Sequence, residues 1–522
     1  MPNTNKQTQP PIPAIIITCA AMAIFVWLFV LATTYGLGIA PDSAGYLERA
    51  VIILRDPAGA WASTELGNYS PLGYPALLAG LLATGGGVDG LRWWHLLIGI
   101  ALTGLVGFLT WISSRRDPLI LAAGLGLYLF AWPLLAFSSK MLTEAPFVLL
   151  VLGAAALVAL FMRKGGWGWL GMAGFLLGLA YVLRYAGIAL IPVFLLLAGW
   201  FVVRKQGLGW FGFSGLLIAT LLIPVINSIR NSMFYGSSTG RMVLLNTITI
   251  QKLADLPTSL FMLPGNTPWP WLNFGFNLLL FLGVALYFWQ AFKKGRLFAS
   301  ARQENTDLLT LFLLVLALAY IAVVTITILL LDASTPINNR ILFPVRVLML
   351  APSLLGLRHL AGLVTSKIQP SRNGKWTFGL AVLAFLLLGM PEFVPSFSDA
   401  VQNGTGYASR QWQEDKVVRA SLAAASKGIQ VYSNGADAIN YLAPEAGVKW
   451  IPATKDRVTR QRNPQYKEAL DKICEEAKAG KAIIVLFSEL EWRTYLPTLA
   501  DIKEECPGLN MTRYPTGNLL GQ

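Results

Sequence analysis

The chain has few charged residues and very few of the residues that build metal sites or catalytic triads. Only 13% of its 522 residues are charged, whereas an ordinary soluble domain has about 25%. It contains two histidines, His95 and His359, and three cysteines, Cys19, Cys474 and Cys506. This scarcity speaks against metal sites built from His and Cys and against a His-dependent triad. Acid–base chemistry must then come from carboxylates.

Apolar residues dominate, but not evenly. Hydrophobic residues make up 55% of the chain. Residues 1–395 carry 25 Lys/Arg and 12 Asp/Glu, whereas residues 396–522 carry 16 and 15 in 127 positions. We therefore expect a transmembrane domain, 1–395, followed by a water-soluble domain, 396–522. Almost all of the net charge of +14 lies in the short loops of the apolar part, which indicates membrane topology and not a nucleic-acid partner.

Eleven apolar segments are long enough to cross a lipid bilayer, which requires about 20 residues in a helix. The first segment is 24 residues long and is predicted to be a retained helix, not a signal peptide. The stretch 72–84 is too short and is predicted to be interfacial or re-entrant. The predicted fold class is a polytopic α-helical membrane protein with a small C-terminal α/β domain. The predicted spans are 14–37, 93–112, 118–137, 145–162, 167–183, 186–203, 208–226, 274–292, 308–331, 341–357 and 376–394.

The loops between these spans have a strong charge asymmetry. If the N-terminus is cytoplasmic, the inner segments contain fifteen Lys/Arg and only three Asp/Glu. Because basic loops stay on the cytoplasmic side, the loops 38–92 and 227–273 and the C-terminal domain are expected outside a cytoplasmic (inner) membrane.

Several charges at the predicted outer end do not follow this pattern. The loop 38–92 contains five acids. Seven bases lie at outer helix ends or in outer loops, although such placement is costly near lipid. Some could simply pair with Glu144, Asp332 or lipid headgroups. As a set around one cavity they suit an anionic ligand such as a lipid phosphate. The acids are Asp42, Glu48, Asp56, Glu65 and Asp89, and the bases are Lys140, Arg184, Arg230, Arg241, Lys252, Arg340 and Arg346.

Short motifs at this end carry a family resemblance. Pro41-Asp42-Ser43 follows the first helix, and an aromatic/proline segment, Asn68–Pro75, comes next; Leu142-Thr143-Glu144 precedes the fourth span. Leu183-Arg184-Tyr185, Asn227–Asn231 with Tyr235-Gly236, and Asn338–Pro344 complete the set. In their order along the chain and in their shared position on the predicted outer side, these motifs resemble those of the GT-C glycosyltransferases, which use polyprenyl-phosphate-linked sugars. The match is to the bacterial branch similar to protein mannosyltransferases and the aminoarabinose transferase.

The resemblance implies an inverting hexosyl- or pentosyltransferase that moves a sugar from a polyprenyl-phosphate donor to a lipid, glycan or protein acceptor on the extracytoplasmic face. Asp42 is the expected general base, with an N-cap as its alternative role, and Glu144 is expected to orient acceptor or base or to favour the helix dipole. No cofactor is predicted; some relatives have two adjacent acids where this chain has Asp42-Ser43, so a metal requirement is not supported. The expected substrate-binding residues are Tyr46, Tyr74, Lys140, Arg184, Arg230, Asn231, Arg241, Arg340 and Arg346, although the tyrosines also suit an interfacial aromatic belt.

The C-terminal segment has the alternating pattern of an α/β domain. Residues 428–434 and Ala482–Phe487 are predicted strands, and Ala436–Leu442 and 464–479 are predicted helices. No phosphate-binding loop follows Asn434, so no second active site is expected there. An outside location would favour a disulfide between Cys474 and Cys506.

Two other functions compete with the enzyme. A transporter or flippase for a lipid-linked sugar or an anion would also contain membrane arginines, but it would more often have an inverted repeat, which the sequence does not show. A non-catalytic scaffold would leave the acidic loop and the outer bases unexplained.

Overall fold

The computed structural model describes residues 12–63, 66–67, 70–204, 209–239, 270–298, 305–332, 335, 337–366, 373–457 and 461–522. Within these ranges, nine helices are long and apolar enough to cross a membrane. The chain is thus a multi-pass membrane protein, as predicted. The nine are Ile12–Ala32 (α1), Gly87–Ser113 (α5), Glu144–Lys164 (α8), Tyr185–Val203 (a 3₁₀ turn and α10), Trp210–Tyr235 (α11), Phe274–Lys293 (in α12), Thr306–Leu330 (α13), Phe343–Thr365 (in α14) and Gly374–Asn403 (in α15).

Two further predicted spans have a different form. Pro118–Leu129 (α6) and Trp132–Ser138 (α7) are bent by 65° at a short break and count as a tenth span if taken together. Pro133 lies in the first turn of α7, where its missing N–H does no harm. Trp167–Leu183 (α9) is a shorter apolar helix. These two account for the difference between nine spans and the predicted eleven.

Short helices lie between the first two spans. Pro41–Arg55 (α2) begins with a proline at its first position, and the Ala40 N–H donates to Ser43 Oγ at 3.0 Å. It ends at Arg55, and the carboxylate of the next residue, Asp56, caps Pro57–Ala62 (α3) by accepting from the Gly59 N–H. Gly73–Leu82 (α4) has ten residues, too few to span a bilayer; its interfacial or re-entrant placement stays a prediction.

The C-terminal domain is a five-stranded mixed sheet with helices. Its strands are Gln430–Ser433 (β1), Lys449–Trp450 (β2), Ala482–Phe487 (β3), Asn510–Tyr514 (β4) and Gly517–Gly521 (β5), in the order β2-β1-β3-β5-β4. β1 is parallel to β2 and β3, and β5 is antiparallel to β3 and β4. The helices are Arg410–Gln413 (α16), Lys416–Ala425 (α17), Ala436–Leu442 (α18), Tyr466–Lys478 (α19) and Leu499–Glu505 (α20).

The predicted helices and strands of this domain are therefore confirmed, whereas β2 and the β4–β5 hairpin were not predicted. Cys474 on α19 and Cys506 after α20 form a disulfide, with Cα atoms 5.3 Å apart, so the expected pairing is present in the structure.

Predicted inner loops meet at one end of the bundle. Arg115 lies 2.9 Å and Arg296 lies 3.4 Å from the carboxylate of Asp307. α13 begins at Thr306, next to Asp307, and runs through 25 residues, about 37 Å, towards the loop that contains Arg340. The basic loops and the predicted site thus lie at opposite ends of this helix.

Candidate functional site

A small patch of backbone hydrogen bonds joins three distant segments at the site. The Gly38 N–H donates to Ser139 O at 3.0 Å, and the Met141 N–H donates to Gly38 O at 2.9 Å. On the other side, the Tyr407 N–H donates to Ile39 O at 2.8 Å. The segment 38–40 leads directly into α2, and 139–141 leads into α8. The starts of these two helices are therefore fixed next to each other.

The two predicted carboxylates are linked by arginines at this point. Arg340 donates from Nη2 to Asp42 Oδ2 at 2.6 Å and from Nε to Glu144 Oε1 at 2.7 Å. Arg184 donates to the same Glu144 oxygen at 2.5 Å and to Thr143 Oγ1 at 3.1 Å. The result is a chain of alternating charge, Asp42–Arg340–Glu144–Arg184. Four of the predicted site residues are brought together in it.

The two acids differ in access to solvent. The Asp42 side chain is 33% exposed, whereas that of Glu144 is 0% exposed. Asp42 is the second residue of α2, and Ala40 is the N-cap. The alternative role of Asp42 as an N-cap is thus wrong. Glu144 is the first residue of α8, where its negative charge also favours the helix dipole.

Cations outnumber acids around Asp42. Burial alone would raise the pKa of Asp42, but the positive charges of Arg340 and Arg457 outweigh it and hold this pKa below the ordinary value. Burial and the charge of Arg340 both lower the pKa of Lys140. Counting Lys140, Arg184, Arg340 and Arg457, four bases face two acids. Such a site favours an anionic ligand.

Arg457 was missed in the sequence because it belongs to the C-terminal domain. Its Nη2 lies 3.9 Å from Asp42 Oδ1, and its side chain is 63% exposed. It follows β2, in the loop at the carboxyl end of that strand. Nothing in the local sequence distinguishes it from the other bases of this domain.

The loop that contains Arg340 is shaped by its two asparagines. Asn338 Oδ1 accepts from the backbone N–H groups of Arg340 and Ile341 at 3.1 and 3.0 Å, which is turn chemistry typical of Asn. Arg346, buried at the start of α14, donates to Asn339 Oδ1. Arg346 thus supports the loop from behind, and its predicted contact with a donor phosphate stays a prediction.

Arg230 and Asn231 lie in a separate cluster under α3. Arg230 is 2% exposed and donates to Trp61 O at 2.8 Å and Ala60 O at 3.4 Å. Asn231 donates to Tyr185 Oη at 3.0 Å and to Ser238 O at 2.8 Å. The contacts of Arg230 satisfy carbonyl groups at the end of α3, and those of Asn231 tie it to Tyr185 and Ser238. They favour a structural role over the predicted role in donor binding.

Tyr46 and Tyr74 pack against each other beneath Asp42. Their rings meet edge to face with centroids 5.1 Å apart. Because the carbonyl of Ser138 can only accept, His95 donates to it from Nδ1 at 3.3 Å, and His95 Nε2 accepts from Tyr74 Oη at 3.0 Å. Burial and the charge of Asp42 raise the pKa of Tyr46 to about 12. Both rings are buried and hold α2 in place; stacking on a sugar stays a prediction.

Three predictions concern residues that the structure does not describe: Arg241, Lys252 and Glu65 lie outside the described ranges. Within those ranges, no group of three His, Cys, Asp or Glu side chains is arranged to hold a metal ion.

Two solved structures are similar to this chain over most of its length. ArnT from Cupriavidus metallidurans in the apo state has a TM-score of 0.51 at 14% sequence identity, with 97% of this chain and 97% of that chain covered. The archaeal oligosaccharyltransferase AglB from Archaeoglobus fulgidus, in complex with an inhibitory peptide and a dolichol-phosphate, has a TM-score of 0.51 at 12% identity, with 97% and 74% covered. No protein-family model and no curated protein sequence matches the chain.

Both of these proteins are GT-C membrane glycosyltransferases. At such low identity the likeness concerns the fold, and it confirms the GT-C fold that the sequence motifs predicted, including the small mixed-sheet domain at the C-terminus.

Proposed function

We propose that this chain, which has the GT-C fold, is a membrane glycosyltransferase that takes a sugar from a polyprenyl-phosphate donor with inversion. The observation that carries the proposal is the chain Asp42–Arg340–Glu144–Arg184. It offers one partly exposed carboxylate in surroundings with an excess of positive charge. A carboxylate in this position can act as the general base, and the cations can stabilise the charge on a phosphate leaving group.

In this reaction the protein accepts a proton and stabilises charge, while the other bonds that form and break are those of the substrates. Asp42 takes the proton of the acceptor hydroxyl while that oxygen forms a bond to the anomeric carbon. The bond from this carbon to the phosphate oxygen breaks, and the electron pair leaves with the phosphate. Because a phosphate ester oxygen is a good leaving group, cations suffice and no acid has to protonate it.

The difference in exposure supports different tasks for the two acids. Asp42 is one-third exposed and is within reach of an acceptor, whereas Glu144 is fully buried between two arginines. Glu144 is therefore a positioning residue that aims Arg184 and Arg340. Asp42 is the catalytic residue.

Arg340 also couples donor binding to the strength of the base. In this structure it is shared between Asp42 and Glu144. A donor phosphate would compete for its N–H groups, because arginine binds phosphate and carboxylate through the same planar fork. As Arg340 turns to the phosphate, Asp42 loses its strongest cationic partner and becomes more basic. Donor binding thus prepares the base.

We further propose that the site faces the extracytoplasmic side. The fifteen bases of the predicted inner loops support this orientation, and Arg115, Arg296 and Asp307 lie together at the end opposite the site. The dolichol-phosphate in the AglB complex supports a polyprenyl-phosphate donor for a chain of the same fold.

The test is turnover by purified protein in lipid nanodiscs. Undecaprenyl phosphate carrying radiolabelled mannose, glucose or arabinose serves as the donor, and a total membrane extract serves as the acceptor source. We expect release of undecaprenyl phosphate with one of these sugars. Asp42→Asn should lower the rate by about 10²–10⁴-fold, the range for loss of a general base, while donor binding persists.

The matched control is Glu414→Gln, which makes the same chemical change in an exposed ion pair with Arg410 and should leave turnover unchanged. Movement of the intact donor across vesicle membranes without release of the lipid phosphate would instead support a flippase and refute the proposal. Near-normal transfer by a stable Asp42→Asn protein would remove Asp42 as the base.

A further inference from the structure

The C-terminal domain contains a cavity of about 440 Å³, within the range of small-molecule sites. It lies at the carboxyl ends of β1 and β3 and is lined there by Asn434 and by Phe487 with Ser488. The Asn434 side chain holds these strand ends together. It accepts from the Phe487 N–H at 2.8 Å and donates to Phe487 O at 3.1 Å.

The topology of the sheet explains why a cavity forms at this place. The chain passes from β1 through α18 to β2, which lies on one side of β1. It then passes from β2 through α19 to β3, which lies on the other side of β1. Both neighbours are parallel to β1. In open sheets of this kind, the connections diverge where the strand order reverses, and ligands bind in the crevice at the carboxyl ends. The cavity is thus part of the fold's architecture.

The lining combines apolar and polar side chains, and its charged residues include more acids than bases. Its carboxylates are Glu491, Asp501, Glu504 and Glu505, and its bases are Lys455 and Arg493. The charge of Arg493 is already balanced by Asp437, to which it donates two hydrogen bonds at 2.9 and 2.7 Å. An anionic ligand is therefore disfavoured. Carboxylates and amides together suit the hydroxyl groups of a carbohydrate, and an additional amine on it would be tolerated.

Tyr466 adds a buried hydroxyl group to the lining of the cavity. Among the described residues its Oη has no hydrogen-bond partner, and an unsatisfied buried hydroxyl is costly unless a ligand or water binds to it. Burial and the carboxylates of Asp501 and Glu505 raise the pKa of Tyr466 to about 12. It therefore keeps its proton at neutral pH and can donate to a ligand.

Two segments of the chain connect the walls of the cavity to the proposed active site. Thr454 and Lys455 line it, and two residues further along the chain Arg457 lies 3.9 Å from Asp42. On another side, Arg493 donates to Tyr407 Oη at 2.8 Å, and the Tyr407 N–H bonds to the segment that leads into α2. The cavity walls are thus tied to the segment that leads to Asp42 and to the loop that contains its partner Arg457.

We propose that this cavity binds an uncharged or amine-bearing carbohydrate, as the part of the acceptor that lies away from the reacting hydroxyl. The assignment as an acceptor site rests on the proposed function, but carbohydrate binding itself does not. The expectation from the sequence, that this domain has no second active site, is compatible, because binding here involves no chemistry.

The experiment measures binding without a donor, by saturation-transfer NMR on the full chain in nanodiscs. The probes are cellotriose, a glucosamine trisaccharide, trigalacturonate and trilysine. Cellotriose and the glucosamine trisaccharide should bind, and trigalacturonate should not. Ser488→Tyr, which fills the cavity, should weaken binding at least about tenfold. Tyr466→Phe, which removes one hydroxyl, should weaken it about two- to tenfold, the usual range for one hydrogen bond.

Thr512→Tyr is the control, because it places the same side chain on the exposed strand β4 outside the cavity, and it should bind as the unchanged protein does. Asp42→Asn should also retain binding, so failure of the transferase and failure of the cavity proposal give different results. Binding that is absent, or equal in the unchanged protein and in both cavity variants, would overturn the proposal. So would binding of trilysine alone, which would favour a peptide.

Discussion

Replacing Arg340 with glutamine tests the coupling of the site most directly, because Arg340 is bound to both carboxylates. The change removes the charge and leaves an amide that can reach only one of them. Glu144 keeps Arg184 at 2.5 Å, whereas the ion pair left to Asp42 among the described residues is the one with Arg457 at 3.9 Å. The consequences should therefore fall mainly on Asp42 and on the donor.

The structure gives the size of the effect on donor binding. A hydrogen bond to a charged group contributes about 1.5–3 kcal/mol. The Arg340 side chain is 27% exposed, so water replaces part of this contribution and the lower half of the range applies. Donor binding should weaken by about 10- to 50-fold, and turnover at saturating donor should fall less than it does in Asp42→Asn.

The pH dependence of turnover should change in a defined direction. Burial raises the pKa of Asp42, and Arg340 is the strongest of the charges that lower it. Without Arg340 the pKa rises. A base acts only when ionised, so the acidic limb of the kcat/KM profile, which reports the free enzyme, should move to higher pH. The same lowered pKa also stabilises the fold. Asp42 contributes to the free energy of unfolding above its unfolded-state pKa, and this contribution is lost as the pH falls through its folded-state pKa. The contribution is smaller in Arg340→Gln.

The assay is donor binding and turnover in nanodiscs over a range of pH, with Arg410→Gln as the control. Arg410 forms an exposed pair with Glu414 at 2.8 Å, and its loss should leave both quantities unchanged. Arg340→Lys keeps the positive charge but loses the planar guanidinium group. Its donor binding and turnover should lie between those of Arg340→Gln and Arg410→Gln. If Arg340→Gln binds donor normally and its acidic limb does not move, the coupling through Arg340 is refuted.

Three other predictions follow from the same structure. A reporter active only in the cytoplasm, fused after residue 522, should stay silent; an active reporter would reverse the orientation. Mass spectrometry of unreduced peptides should find Cys474 linked to Cys506, and reduction should lower stability by about 3–4 kcal/mol for a loop of this length, whereas two free thiols in fresh protein would contradict the pairing. Arg230→Gln should lower thermal stability by leaving buried carbonyls unpaired, with donor affinity unchanged; weaker donor binding in a protein of normal stability would restore Arg230 to the donor site.

The sequence alone determined the membrane architecture and the start of the site. Length and apolarity of a segment are local properties, so the spans could be predicted, as could the helix and strands around Cys474. Asp42 and Glu144 could also be predicted, because Asp42 follows the first membrane span and Glu144 begins a later one. A span of marginal length, such as Trp167–Leu183, is the place where such a count is least certain.

Tertiary structure decided which charges act together. Arg340 is 298 residues from Asp42 and 196 residues from Glu144 in the chain, and only the docking of helices brings them into contact. A base at an outer helix end looks the same in sequence whether it meets a carboxylate, as Arg340 does, or the carbonyl of Trp61, as Arg230 does. Arg457 reaches Asp42 from another domain for the same reason: partners of a buried charge are set by packing over long separations, which no local pattern records.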